Sequence, residues 1–265
     1  HLTQAIQSYN RAIEIKPDYV EAHYNLGDAM QKNGDQGAAI KSYQRTITIN
    51  PDYFAAHNNL GNVLKETGHL TQAIQSYNRA IEIKPDFTKA HSNLGVALKE
   101  KGDLSAAIEA YKQAIKINPD YAEAHSNLGN ALKEKGDLKA AIESCNRAIK
   151  LKPTSAEAHN NLGIVLQESG NLKAAIKSCD RAIKISPDYA EAHSNLGNAL
   201  QESGDLRASI RSYSRALEIR PDYTIARSHK LRQQAFICDW DAIETDRHLI
   251  PDLGVSTKFV TPFSM

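Results

Sequence analysis

One period governs this chain: the six-residue word Ala-His-x-Asn-Leu-Gly returns every 34 residues. Such a period is the mark of a repeat architecture, in which units stack in a row and no single central core forms. The 265 residues therefore do not predict one or two ordinary globular domains. The word stands at 22–27, 56–61, 90–95, 124–129, 158–163 and 192–197. Prolines keep the same interval, at Pro17, Pro51, Pro85, Pro119, Pro153, Pro187 and Pro221.

The repeat at 119–152 predicts two helices joined by a short turn. Pro119 ends the preceding helix, because proline lacks a donor and clashes with the turn behind it. Asp120 and Glu123 are predicted to form a capping box at the start of the first helix. Gly136 is predicted to end that helix in the left-handed conformation, and Asp137 to cap the second helix. Each repeat should therefore be a helical hairpin.

Glycines also recur in the middle of the first helices, as at Gly95 and Gly129. Glycine costs about 1 kcal/mol relative to alanine inside a helix, so a repeated one needs a reason. We expect the two helices of each hairpin to cross closely at this position.

The hairpin pattern resembles the tetratricopeptide (TPR) repeat, with histidine at the position of the first consensus aromatic. The resemblance rests on Leu94, Gly95, Ala107, Tyr111, Ala114 and Pro119. It implies an all-α fold, a right-handed α–α superhelix (TPR solenoid) whose first helices line the concave side. Residues 1–220 are then the superhelix, with a partial first repeat and six full repeats. Residues 221–250 form a degenerate repeat and a capping helix, and 251–265 an extended tail that starts a further domain.

Charge and cysteine content restrict the partners and the compartment. The formal net charge is +1, which gives no reason to expect a nucleic-acid or membrane partner. No apolar run is long enough to span a membrane. Cys145 and Cys179 lie one repeat apart, about 8–10 Å in stacked helices, whereas a disulfide needs Cα atoms within about 7 Å. They are therefore predicted to be free thiols, and the protein to be cytoplasmic.

The recurring histidines suggest a metal site, but their spacing argues against it. Residues one repeat apart are about 10 Å apart at the backbone, too far to share an ion with bonds of about 2.1 Å. Packing of the rings between helices is the better interpretation, and no metal or other cofactor is predicted. The residues are His23, His57, His91, His125, His159 and His193.

An asparagine follows each of these histidines by two residues, and we call the set the ladder asparagines. An asparagine amide offers a donor and an acceptor that complement a peptide unit. At about 10 Å spacing, the ladder would meet every third residue of an extended chain that advances about 3.3 Å per residue. Two interpretations are open: the ladder binds a peptide, or each amide bonds the neighbouring repeat. The predicted peptide-binding residues are Asn25, Asn59, Asn93, Asn127, Asn161 and Asn195.

The segments 57–68 and 125–153 resemble the repeat region of O-GlcNAc transferase-like proteins, in which an asparagine ladder holds substrate backbones. The tail "CDWDAIETDRHLIPDLG" resembles the join between repeats and catalytic region in bacterial members of that group. The resemblance implies that the sugar-nucleotide site lies beyond Met265, and it assigns no catalytic residue to this chain. Asp239 and Asp241 match a short metal–nucleotide motif, but helix capping accounts for both acids.

Two functions remain open from the sequence. The chain is predicted to bind extended peptide or protein segments, as the recruiting region of a Ser/Thr protein glycosyltransferase. The alternative is a free-standing adaptor that assembles protein complexes without chemistry. An enzyme contained within these residues is not predicted, because no nucleophile–base pair or phosphate-binding glycine loop is present in the sequence.

Overall fold

The computed structural model of the protein describes residues 1–239. All elements of this part are α-helices, which confirms the predicted all-α class for residues 1–239. The part of the predicted capping helix from residue 240 to 250 and the predicted tail at 251–265 lie outside the described residues. The helices are α1 (Leu2–Ile15), α2 (Val20–Lys32), α3 (Gln36–Ile49), α4 (Phe54–Glu66), α5 (Leu70–Ile83), α6 (Thr88–Glu100), α7 (Leu104–Ile117), α8 (Ala122–Glu134), α9 (Leu138–Leu151), α10 (Ala156–Glu168), α11 (Leu172–Ile185), α12 (Ala190–Glu202), α13 (Leu206–Ile219) and α14 (Thr224–Phe236).

The chain divides into two compact units, 1–136 and 137–265. The first unit contains α1 to α8, and the described part of the second contains α9 to α14. Even-numbered helices are the first helices of their repeats, and odd-numbered helices are the second helices. None of the described helices is both long and apolar enough to cross a membrane.

Within each unit the helices pack in chain order, and the first helices also contact one another. In the first unit α2 contacts α4, α4 contacts α6, and α6 contacts α8; in the second, α10 contacts α12. No comparable contacts join successive second helices among the described residues of either unit. The first helices therefore form one continuous face in each unit, and this face carries the ladder asparagines.

Five of the seven described second helices begin with a side-chain cap, and α1 and α5 do not. Asp137 accepts a hydrogen bond from the backbone N–H of Ala140 at 3.1 Å, as predicted. Asp35, Asp103 and Asp205 cap their helices in the same way. Gly136 has a φ of +87°, which confirms the predicted left-handed end of α8.

The predicted capping box at Asp120 and Glu123 is wrong. Helix α8 begins one residue later than expected, with Tyr121 at the N-cap and no side-chain cap bond. The reason is a turn around Pro119: the N–H of Asp120 donates to Oδ1 of Asn118 at 3.1 Å, and the N–H of Tyr121 donates to the Asn118 carbonyl. The carboxylate of Glu123 instead accepts the Tyr121 hydroxyl at 3.0 Å.

The close crossing expected at the glycines is confirmed. A Cβ added at Gly95 would lie 2.5 Å from Cε1 of Tyr111, whose ring is fully buried on α7. The same distance at Gly61 and Tyr77 is 2.6 Å. The absence of a side chain thus makes room for a tyrosine ring from the partner helix.

Burial separates the three cysteines into two classes. Cys145 and Cys179 are buried free thiols that stand where other repeats carry tyrosine, and Cys238 is exposed. Burial raises the pKa of Cys145 and Cys179 to about 12, and the Asp180 charge adds to the effect at Cys179.

We expect a disulfide reagent to modify only Cys238 quickly in the folded protein at pH 8. The thiolate is the reactive form, and a raised pKa keeps the two buried sulfurs protonated until the pH approaches 12. Counting released chromophore against time in buffer and in denaturant checks this. Three equally fast thiols in buffer would contradict it.

Candidate functional site

The ladder asparagines lie on the face of the first helices, and all six are neither fully buried nor fully exposed. In the first unit this face has a groove of about 440 Å³ beside Asn59, lined by Asp28, Gln31, Lys32, Asn59 and Glu66. The ladder position is therefore reachable from solvent at a concave part of the surface.

Three ladder asparagines donate hydrogen bonds to the preceding repeat, as the second interpretation of the ladder requires. Asn59 Nδ2 donates to Asp28 Oδ1 at 2.9 Å and to the Tyr24 hydroxyl at 3.0 Å. Asn93 Nδ2 donates to Asn62 Oδ1 at 3.0 Å and to Asn58 Oδ1 at 3.1 Å. In the second unit, Asn195 Nδ2 donates to Asn160 Oδ1 at 2.9 Å.

These bonds correct the prediction that every ladder amide is available as both donor and acceptor. An asparagine NH₂ group has two hydrogens, and the two bonds made by Asn59, like those made by Asn93, use both of them. Only the carbonyl oxygen is left for a ligand at these positions. Asn59 Oδ1 already accepts one bond, from Asn58 Nδ2 at 3.0 Å, and an amide oxygen has room for a second.

The buried tyrosines of the second helices complete the same network. The Tyr77 hydroxyl donates to Asn62 Oδ1 at 2.9 Å, so that oxygen receives both Tyr77 and Asn93. The Tyr43 hydroxyl donates to Asp28 Oδ1 at 2.6 Å. Burial, with smaller contributions from the charges of Glu100 and Glu66, raises the pKa of Tyr77, so its hydroxyl remains a donor at physiological pH. The network therefore joins both helices of one repeat to the first helix of the next.

The sequence reasoning missed the residue that receives these bonds, which lies 31 positions before each ladder asparagine. It is Asp28 for Asn59 and Asn62 for Asn93. A polar residue stands three positions after four of the six ladder asparagines, and this recurrence was the available signal. The full set at this phase is Asp28, Asn62, Val96, Asn130, Ile164 and Asn198.

A second row of polar contacts joins successive first helices near their C-terminal ends. Lys65 lies 3.5 Å from Glu100, and Lys99 lies 3.1 Å from Glu134. Each pair joins residues 35 positions apart. The charges of Lys99 and Glu134 therefore offset each other. On the same helices Ser92 and Ser126 are buried, at 1% and 6% exposure.

Each of the six repeated histidines is bonded within its own loop. The ring Nε2 lies 2.9–3.1 Å from the carbonyl oxygen of the proline six residues earlier. The ring therefore ties the start of each first helix to the loop before it, a role beyond the predicted packing. Among residues 1–239, no three His, Cys, Asp or Glu side chains are grouped closely enough to hold a metal ion.

The ladder ends at Asn195, because His229 stands 34 residues later in place of an asparagine. This histidine occupies the ladder position on α14, and its ring stacks on Tyr213 with 5.6 Å between centroids. Burial and the nearby Arg232 charge lower the pKa of His229, so the neutral ring is favoured. An aromatic contact here replaces the amide bond made by the ladder in earlier repeats.

Comparison with solved structures finds the same fold. The chain is similar to the Cut9–Hcn1 hetero-tetramer of APC/C (18% identity, TM-score 0.77), covering 88% of this chain and 46% of that one, so it spans about half its length. It is similar to YrrB, a TPR protein with an unusual peptide-binding site (22% identity, TM-score 0.55, 72% and 99% covered). It is also similar to MamA (27% identity, TM-score 0.54, 61% and 95% covered).

A search of the curated proteins found no match. Family models give a direct assignment. The model described as TPR repeat matches residues 1–34, 32–68, 61–102, 97–136 and 129–170. The model described as tetratricopeptide repeat matches 154–222. Together they cover the chain from its first residue to the start of α14, and the chain belongs to the tetratricopeptide repeat family.

Proposed function

We propose that this protein binds extended polypeptide segments along the face of its first helices, with the ladder asparagines contacting the ligand main chain. The observation that carries the proposal is that each unit has a row of half-buried amides on the face of its contacting first helices. The proposed contacts are Asn25, Asn59, Asn93 and Asn127 in the first unit, and Asn161 and Asn195 in the second.

Hydrogen bonds to the preceding repeat support this role because they fix the amides in place. Asn93 is held by two bonds at 3.0 and 3.1 Å, so its oxygen is oriented before a ligand arrives. A fixed acceptor loses little conformational entropy on binding. An extended chain that places every third residue at the ladder would offer its backbone N–H groups to such oxygens.

Similarity to YrrB supports the ligand class, since that protein is described as having a peptide-binding site. At 22% identity the likeness extends to the fold alone. The choice of the first-helix face therefore depends on the groove beside Asn59 and on the polar network around it.

We further propose that the chain recruits substrates for an O-GlcNAc transferase-like glycosyltransferase that modifies Ser and Thr. This proposal depends on the sequence resemblance at 57–68, at 125–153 and in the tail. The adaptor without chemistry is the competing outcome. Cytoplasmic location is part of the same proposal and agrees with the free thiols of Cys145 and Cys179.

We expect replacement of Asn59, Asn93 and Asn127 by alanine to weaken peptide binding by about 0.5–1.5 kcal/mol per lost hydrogen bond. The probe is a fluorescein-labelled peptide of alternating Ala and Ser, about 12 residues long, which spans the four ladder positions of the first unit. Fluorescence anisotropy measures its affinity, and far-UV circular dichroism checks helicity.

The matched control replaces Asn10, Asn78 and Asn146, which are exposed asparagines on second helices. Equal peptide affinity of the wild type and the ladder variant would contradict the proposal that the ladder asparagines bind the peptide. Transfer of N-acetylglucosamine to the same peptide by the full-length protein, reduced in the ladder variant, would support the transferase. Peptide binding without transfer of the sugar would support the adaptor function instead.

A further inference from the structure

The bonds made by the ladder follow one rule that can be read along the sequence. A ladder asparagine donates to the residues 35 and 31 positions before it. Asn59 reaches positions 24 and 28, and Asn93 reaches positions 58 and 62. The side chains at these two positions therefore decide whether the two amide hydrogens are used inside the protein.

Both positions fall within the sequence for three ladder asparagines of the first unit, and among these Asn127 is the exception. The residue 31 positions earlier is Val96, which has no hydrogen-bond acceptor in its side chain. The residue 35 positions earlier is Ser92. Serine also stands at this phase in two other repeats, and its side chain is shorter than the tyrosine or asparagine of the remaining three. Its Oγ is buried, and no hydrogen bond joins it to the Asn127 amide. Within residues 1–239 the structure gives Asn127 no side-chain hydrogen bond, so both amide hydrogens remain available.

In the second unit, Asn195 has an acceptor in the preceding repeat for one of its two amide hydrogens. Asn160 accepts one of its hydrogens at 2.9 Å, but the residue 31 positions earlier is Ile164. An apolar side chain at this phase again leaves an amide hydrogen without its usual acceptor. Two apolar residues at equivalent phases of different repeats thus have the same consequence.

We infer that Asn127 and Asn195 donate hydrogen bonds to carbonyl groups of the bound main chain, and that Val96 and Ile164 keep those donors available. The inference rests on the proposed peptide-binding function and assigns unequal roles to the ladder. Asn59 and Asn93 offer acceptors only, because both of their hydrogens are donated to the preceding repeat. Asn127 offers donor and acceptor together and can pair with a whole peptide unit.

The first test is Val96→Asn, which restores an acceptor 31 positions before Asn127. We expect the new side chain to receive Asn127, as Asn62 receives Asn93 at 3.0 Å. Affinity for the Ala–Ser peptide should then fall by roughly two- to tenfold, while the urea midpoint stays equal or rises. Val96→Ala is the control, because it supplies no acceptor and should leave affinity unchanged.

The second test compares Asn127→Ala with Asn93→Ala. Asn127→Ala should lower peptide affinity roughly two- to tenfold with an unchanged urea midpoint. Asn93→Ala should lower the midpoint, since Asn58 and Asn62 lose their donor, and should affect affinity less. In NMR spectra of the wild type, the side-chain NH₂ signals of Asn127 should shift on peptide addition more than those of Asn93.

The results separate this inference from the function on which it rests. Absence of binding by the wild type would remove the proposed function. Binding that falls equally in Asn127→Ala and Asn93→Ala, with equal NH₂ shifts, would keep the function and overturn the inference. Unchanged affinity of a folded Val96→Asn variant would overturn it as well.

Discussion

Tyr77→Ala is expected to lower the free energy of unfolding of the first unit by about 3–5 kcal/mol, the range for removal of a large aromatic side chain from a core. The ring of Tyr77 is completely buried between α4 and α5 and fills the space left by Gly61. No neighbour can close this gap without moving a helix, because interiors are densely packed. Urea unfolding followed by circular dichroism measures the loss.

The chain contains its own control for this substitution. Helices α1 and α5 have the same 14-residue sequence, but α1 has no buried residues and Tyr9 is partly exposed. Tyr9→Ala should therefore cost about 1 kcal/mol or less. Tyr77→Phe should cost about 0.5–1.5 kcal/mol, since Asn62 keeps the bond from Asn93. Equal losses at Tyr9 and Tyr77 would show that burial under α4 is not what stabilises the ring.

This comparison also shows what the sequence alone could supply. The helical hairpin, the left-handed Gly136 and the close crossing at Gly95 were predictable because each depends on residue type and spacing within one repeat. The identical sequences of α1 and α5 could not indicate their different burial. Burial depends on which helix lies beside the segment, and that is a property of the stack.

The candidate site was predictable in position but not in its bonding. The ladder asparagines were found because they recur at one phase. Their partners lie 31 and 35 residues earlier, on another helix. A change of one side chain there decides whether the amide hydrogens are bonded within the protein. Nothing within its own repeat marks Val96 as important. Its side chain lacks an acceptor for the amide of Asn127, which belongs to the next repeat. The hydrogen bonds from histidine to proline carbonyls were missed for a similar reason. Every residue has a backbone carbonyl, so the residue type does not indicate which carbonyl accepts a bond.

Gly95→Ala is expected to lower the free energy of unfolding by about 1–3 kcal/mol, the usual cost of overpacking a core. The added Cβ would lie 2.5 Å from Cε1 and 2.8 Å from Cδ1 of Tyr111. That ring is 1% exposed, so it cannot swing into solvent, and α6 and α7 must move apart. The gain in helix propensity, about 1 kcal/mol, is too small to offset the loss of packing along the whole crossing.

Gly37→Ala is the matched control for the glycine prediction. Its added Cβ would meet only Oδ1 of Asp35, at 3.7 Å, which is an ordinary contact. We expect a gain of about 0.4–1 kcal/mol from the lower entropy of the unfolded chain. Opposite signs for the two variants in urea unfolding would attribute the cost at Gly95 to the tyrosine ring. Stabilisation by both substitutions would mean that the two helices can separate freely, and the close crossing would then not explain why glycine recurs at this phase.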